Sequence, residues 1–309
     1  MGTIIKSIAI SENKSPLNRK GSIKLCSEAA SRCLENANID SSELDIIINS
    51  GIYRDNHIAE PSIASILQDK LRSKPNKALF QSPTNNGTGH TFSFDLSNSG
   101  CGVLNGIQVI DNLLKLGRIS KGMIITGDAN PIPELSRNFE FPGAAAAVFL
   151  TSSNNCPGFE SISHYSYPEF KEDFTGYTSW QRAKQNGGFR NVLNIEQDES
   201  YLGNCIQCAS KSISGFFSEN RITIEDIDLV ITSQSPPGFP EGLREENKLP
   251  VLMKITENNK IAPYTAGPLF DLHSNWDKIQ SGQANRILFV TVGAGISVSI
   301  AQYRNYCAE

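Results

Sequence analysis

The chain has 309 residues, with 28 basic against 32 acidic side chains and a hydrophobic fraction of 39%; that suits a globule with one large core or two packed halves and excludes a disordered or fibrous chain. Its charges are scattered rather than blocked, which gives no electrostatic basis for binding nucleic acid or an anionic membrane and leaves small molecules or proteins as partners. No apolar run approaches the ~20 residues that span a bilayer, and the start Met1-Gly2-Thr3-Ile4-Ile5-Lys6 lacks the charged-then-apolar pattern of a signal peptide, so a cytoplasmic location is expected.

Along the chain, Ile23, Cys26, Ala30, Cys33, Leu34 and Ala37 recur at helical spacing and predict an amphipathic helix ending near Asn38. The run Glu43 to Ile48 then reads as a strand buried on both faces. Phe92, Phe94 and Leu96 alternate as in a strand, Val103, Ile107, Ile110 and Leu114 take up helical spacing, and Gly122 to Gly127 predicts the next strand. From about Asn154 to Asn194 the chain is rich in Gly, Ser, Asn and aromatic residues without a clear period, and an insertion or lid is expected there.

A second helix follows from about Tyr201 to Phe217, then an acidic turn and the apolar run Asp226 to Ile231, and later a strand over Arg286 to Thr291. This repeats the order of the first part, so the chain reads as two duplicated α/β halves. Units of this kind imply largely parallel sheets covered by helices, stacked as a five-layered α/β/α/β/α sandwich. The boundaries predicted are 1–153 for the N-terminal half, 154–200 for the insertion and 201–309 for the C-terminal half.

Seven cysteines, at 26, 33, 101, 156, 205, 208 and 307, are odd in number and irregular in spacing, which points to reduced thiols rather than a disulfide framework. Cys205 and Cys208 form a solitary C-x-x-C on the apolar face of the second helix, so no metal is expected. No G-x-S-x-G elbow, P-loop or dinucleotide G-x-G-x-x-G after an early strand is present.

The junction Ser97-Asn98-Ser99-Gly100-Cys101-Gly102 joins the alternating strand to the helix. Glycines on both sides of Cys101 let the backbone turn sharply and a substrate approach. A helix start lowers a thiol pKa and favours the thiolate, so Cys101 is a nucleophile by position. The same position also suits a small apolar residue that merely fills a tight turn.

At this junction the sequence resembles the thiolase superfamily, in particular β-ketoacyl-(acyl carrier protein) synthase III. There a D-x-x-x-x-C-x-G strand end precedes a long helix, and Asp95 to Cys101 corresponds, with an extra or shifted glycine. The runs Ala144 to Leu150 and Val292 to Ser297 are similar to the family's small-residue strand and C-terminal glycine-rich turn. The resemblance implies the thiolase fold, Cys101 as acyl acceptor, and the Ala294 backbone N–H as one donor of an oxyanion hole.

Two family motifs are altered. Where the H-Q-A-N motif would follow a strand, the chain has Thr232-Ser233-Gln234-Ser235, which puts Ser233 or its neighbours at the His position. Where G-N-T-S would stand it has Pro263-Tyr264-Thr265-Ala266-Gly267-Pro268. Hydroxyls donate hydrogen bonds, but none replaces imidazole as a base near neutral pH. Of the other histidines, His273 either substitutes for the missing base or lies on an exposed helix face, and His164, with Tyr165 and Tyr167, either lines the entrance or sits on a loop. The interval Ser11 to Gly21 is shorter than in the family and lacks its T-R-T-G-I segment of the coenzyme A channel.

The resemblance thus implies a ketosynthase III-like acyltransferase of fatty-acid-like, polyketide or other secondary metabolism, using acyl-CoA or acyl carrier protein as thioester substrate and no further cofactor. Arg182, Lys184 and Arg190, or Arg244 and Lys248, would meet the acidic carrier protein, and Ser82 to His90 would help line the acyl pocket. The alternative is a catalytically degenerate subunit. Either a homodimer or a heterodimer with a ketosynthase III-like chain is expected.

Overall fold

The computed structural model describes residues 1–14, 19–72, 91–130, 132–182, 189–249 and 263–305. The first half begins with β1 (Gly2–Glu12), α1 (Ser22–Ala37), β2 (Ile46–Asn49), α2 (Ile63–Arg72), β3 (Phe92–Asp95) and α3 (Gly102–Lys115). It continues through β4 (Lys121–Asp128), the short β5 (Ser136–Arg137) and β6 (Ala144–Ser153). The second half comprises β7 (Gly158–Ser166), β8 (Phe174–Arg182), β9 (Phe189–Gln197), α4 (Tyr201–Asn220), β10 (Leu229–Thr232) and α5 (Phe239–Asn247). It ends with α6 (Gly267–Ser274), α7 (Trp276–Gln280), β11 (Arg286–Gly293) and β12 (Ser297–Arg304).

The duplication is visible in the strand order. Described strands of the large sheet run β10-β11-β12-β7-β1-β6-β4-β2-β3, so from the middle outward the first half reads β1-β6-β4-β2-β3 and the second β7-β12-β11-β10. In the first half β2 lies parallel to β4, and in the second β10 lies parallel to β11. The last strand of each half, however, is antiparallel to both neighbours, so the sheets are mixed rather than largely parallel. Its cause is local: β11 returns as β12 through the tight turn at Ala294 to Ile296 instead of crossing over through a helix.

Apolar side chains sort into three cores that define five layers. Helices α1 and α2 cover the outer face of the first half, where Leu25, Cys33 and Leu67 meet Ile47, Met123 and Phe149. Helices α3, α6 and α7 fill the middle, with Ile107, Leu269 and Ile279 packed between Ile48 and Val148 on one side and Ile231 and Phe289 on the other. Helices α4 and α5 cover the outer face of the second half, with Ala209 and Leu243 against Val290 and Ile300. The α/β/α/β/α sandwich expected from the sequence is the architecture observed.

The two half-sheets touch at a single residue pair of β1 and β7, Thr3 opposite Gly158. Gly158 has φ +65°, and a Cβ there would lie 1.9 Å from the Thr3 carbonyl oxygen, so only glycine closes this corner. The segment expected to be an insertion or lid carries three strands among its described residues. β7 belongs to the large sheet, and β8 and β9 form an antiparallel pair beside β5. β7 escaped the reading because its side chains are mostly part-exposed and give no apolar run.

Helix α1 ends where predicted, with Asn38 in the left-handed region (φ 54°) donating its N–H to the Glu35 and Leu34 carbonyls. Cys205 and Cys208 lie on α4 within the second-half core. Cys156 is disulfide-bonded, against the expectation of reduced thiols throughout; one bridge leaves no spacing signature in a sequence. Among the described residues no helix is long and apolar enough to cross a membrane.

Candidate active site

The site forms where the β3–α3 turn of the first half meets the β11–β12 turn of the second. Asp95 fixes the end of β3 by accepting the N–H groups of Ile63 and Ala64 (both 2.9 Å) and the Asn49 amide (3.1 Å), while Arg54 pairs with it at 2.9 Å. Those two N–H groups are orphans of the α2 start, so the Asp95 carboxylate serves as that helix's anion. Beyond it the chain must reverse into α3, and Ser99 takes φ 46° to do so. For a non-glycine residue this left-handed conformation costs about 1 kcal/mol.

Gly100 and Gly293 let the two turns touch. A Cβ on Gly100 would lie 2.5 Å from the Val292 carbonyl oxygen and 2.7 Å from Ser233 Oγ, and one on Gly293 would lie 2.8 Å from Ser99 Cβ. In this close contact Ser99 Oγ accepts the Ala294 N–H at 3.2 Å and the Tyr264 hydroxyl at 2.9 Å. Ser233 lies alongside, its hydroxyl donating to the Val292 carbonyl at 3.4 Å and accepting the Val292 N–H at 3.0 Å.

Tyr264 is held by aromatic packing and by its neighbour. Its ring stacks on Phe141 at 4.4 Å, Tyr53 at 5.3 Å and Phe174 at 5.8 Å between centroids. Thr265 then donates its N–H (3.0 Å) and its hydroxyl to Asp128, which also accepts the N–H groups of Ile52 (3.0 Å) and Tyr53 (2.8 Å). Asp128 thereby ties the end of β4 to the segment that carries Tyr264. Burial pushes its carboxyl above the usual range despite those donors, and burial likewise keeps the Tyr264 phenol protonated.

Cys101 faces elsewhere. It precedes α3 with no exposed surface, and its thiol donates to the Thr291 and Ser297 carbonyl oxygens at 3.4 and 3.3 Å. Burial raises its pKa, outweighing the lowering by Ser299 and Thr291. The helix start was expected to lower it, but desolvation at a position without solvent contact is the larger effect.

His273 lies exposed on α6. His164 is on β7, with Nδ1 2.8 Å from Ser299 Oγ and Nε2 2.7 Å from Gln108 Oε1. Among the described residues, the hydrogen-bond partners of Ser99, Ser233 and Tyr264 are hydroxyls and backbone groups, so neither imidazole joins them. Two donors, the Ala294 amide and the Tyr264 hydroxyl, converge on the Ser99 hydroxyl oxygen, and the same pair would stabilise charge on a carbonyl oxygen that took its place.

No family model matches the chain. Among curated proteins it is similar to β-ketoacyl-[acyl-carrier-protein] synthase III of Ehrlichia canis, at 24% identity over 276 residues covering 86% of this chain and 78% of that protein. The enzyme of the same name from Acholeplasma laidlawii is 22% identical over 282 residues, covering 89% and 80%. The match to the Streptococcus uberis protein of that name, 23% identical, spans 68% of this chain and 61% of that protein. The fold matches 3-oxoacyl-[acyl-carrier-protein] synthase III from Aquifex aeolicus VF5 with a TM-score of 0.74 at 18% identity, over 98% of this chain and 100% of that one. It matches a single-residue variant of Xanthomonas campestris OleA with a TM-score of 0.74 at 17% identity, over 98% of each.

The chain has the fold of the synthase III proteins and is similar in sequence to relatives of that name at 22% and 24% identity. Of the residues that this resemblance singled out, Ala294 and Ser233 stand at the meeting of the two turns, with Tyr264 from the altered second motif beside them. The Cys101 thiol also reaches the strands of the second turn, against the Thr291 and Ser297 carbonyls, whereas His273 is exposed on α6. The residue that sequence reasoning passed over is Ser99, although a signal was present. Counting five residues from Asp95, as the D-x-x-x-x-C pattern demands, arrives at Gly100 and not at Cys101. With the extra residue, Ser99 is the side chain in contact with the Ala294 amide, while the Cys101 thiol contacts the Thr291 and Ser297 carbonyls that flank the same turn. Of the basic residues expected to meet a carrier protein, Arg244 lies on α5 and Lys248 caps that helix. Residues 82–90 and Lys184 lie outside the described residues, as do the side chains of Arg182 and Arg190.

Proposed function

We propose that the chain is a synthase III-like acyltransferase: it takes an acyl group from a thioester, acyl-CoA or an acyl carrier protein, and passes it to a second substrate in fatty-acid-like or secondary metabolism. The observation that carries this reading is the convergence of the Ala294 amide and the Tyr264 hydroxyl on Ser99 Oγ at the β3–α3 turn, where a substrate carbonyl oxygen would take over the two donors. Such a pair lowers the barrier to attack on a thioester carbonyl, an effect commonly worth about 3 kcal/mol for one donor. With Ser233 and Tyr264 in place of the family's His and Asn, simple acyl transfer suits the site better than malonyl decarboxylation, in which an imidazole helps hold the developing enolate.

The second reading, a partner subunit that completes a ketosynthase-like dimer, is favoured by the lack of a base, among the described residues, in contact with Ser99, Ser233 and Tyr264. Intact-protein mass spectrometry after incubation with a panel of acyl thioesters, with released thiol measured in parallel, separates the two. A mass gain equal to the acyl group, matched by thiol release, supports transfer. The absence of both with every donor supports the subunit, which would then co-purify with a chain carrying its own nucleophile and His.

A further inference from the structure

We propose that Ser99 Oγ is the atom that accepts the acyl group, as an oxygen ester, and that Cys101 is a structural thiol. This rests on the acyl-transfer reading above and specifies where the group is carried. Three observations support it. Ser99 Oγ is in hydrogen-bond contact with both convergent donors, at 3.2 Å to Ala294 N and 2.9 Å to the Tyr264 hydroxyl. Both contacts donate to Oγ, so neither consumes the hydroxyl's own proton. The Cys101 thiol instead spends its proton on the Thr291 and Ser297 carbonyl oxygens, under complete burial.

The backbone points the same way. A serine is retained at φ 46°, where glycine would be free of strain, and strain of this kind concentrates at functional sites. The missing side chains at Gly100 and Gly293 bring Ser99 against the turn that supplies the amide.

In the transfer step the thioester carbonyl oxygen takes over the Ala294 and Tyr264 donors as Oγ rotates about Cα–Cβ to attack the carbonyl carbon. An O–C bond forms and the C–S bond breaks. The hydroxyl proton leaves with the departing thiolate as free thiol, and nothing is oxidised or reduced. Without an imidazole in contact, loading is slow and stops at one acyl group per chain until an acceptor removes it.

The test is to incubate the full-length chain with acetyl-, octanoyl- and malonyl-CoA, digest it, and locate the added mass by fragment ions between Ser99 and Cys101. Neutral hydroxylamine, which strips thioesters and spares oxygen esters, is applied in parallel. The expected result is an adduct on Ser99 that survives hydroxylamine, persists in Cys101→Ala and falls at least about ten-fold in Ser99→Ala. An adduct on Cys101, or one lost to hydroxylamine, overturns the assignment and leaves the acyl-transfer reading standing. No adduct and no thiol release with any donor overturns both. Fragment ions from the unmodified sequence decide the residue even if a variant fails to fold.

Discussion

Replacing Asp128 with Asn tests whether the segment carrying Tyr264 is tied down as the structure indicates. The carboxylate is 1% exposed and accepts four hydrogen bonds, from Ile52 N and Tyr53 N on one oxygen and from Thr265 N and Oγ1 on the other. Asparagine is nearly the same shape but offers one acceptor oxygen and one NH2. In either orientation, two buried protein donors then face a third donor. Leaving a buried polar group unpaired costs roughly 1–3 kcal/mol, so the variant should lose about 3 kcal/mol. Urea unfolding followed by far-ultraviolet circular dichroism measures this, with the loss appearing in the midpoint and the slope unchanged. Acyl loading should fall as well, because Thr265 adjoins Tyr264. A loss below about 1 kcal/mol would refute the reasoning, since it would mean that those donors find water or other partners.

Other substitutions follow from the same contacts. Gly100→Ala drives a Cβ onto a backbone carbonyl and Ser233 Oγ; it should cost about 2 kcal/mol, seen as a melting temperature lower by about 3 °C, and no shift would mean that the turns are not pressed together. Asp271, whose carboxyl accepts the Thr232 N–H at 2.8 Å, is pushed up to about 7 mainly by burial. The folded chain therefore holds a proton there that the unfolded chain releases near pH 4, so stability from this group is present below that pH and is lost as pH rises through about 7. The Asp271→Asn variant should flatten the melting temperature over this range, and parallel profiles for the two proteins would contradict it. Asp95→Ala removes the acceptor for two α2 amides and the partner of Arg54; a loss of about 2–3 kcal/mol is expected in urea, whereas an unchanged midpoint would show that solvent replaces the carboxylate.

The elements legible in the sequence were those whose burial imposes a period. α1 and α4 bury one stripe, while β2, β4, β10 and β11 are covered on both faces, so each left a regular apolar pattern. The duplicated order was readable for the same reason. β7 was not, because its mixture of exposed and half-buried residues leaves the alternation weak. The hand of the last strand in each half was also hidden, since parallel and antiparallel buried strands carry the same composition.

Ala294 and Ser233, expected from motif positions, lie at the meeting of the two turns, but which side chain between Asp95 and Gly102 contacts the Ala294 amide was not legible. There the period changes from two to 3.6, and a slip of one residue exchanges which side chain faces the partner turn. The geometry at Gly100 and Gly293 depends on contacts between residues almost two hundred positions apart, which no local pattern encodes.

The meeting of the two turns gives the protein a particular vulnerability. Ser99 belongs to one half and Ser233, Tyr264 and Ala294 to the other, so the reacting geometry is a property of how the halves are seated and not of either core. A slight slide between them would misalign the donors while every helix and strand stayed intact. Under mild heat or denaturant, acyl loading should therefore fade before circular dichroism registers any change, and the catalytic lifetime of the protein would be set by its seam.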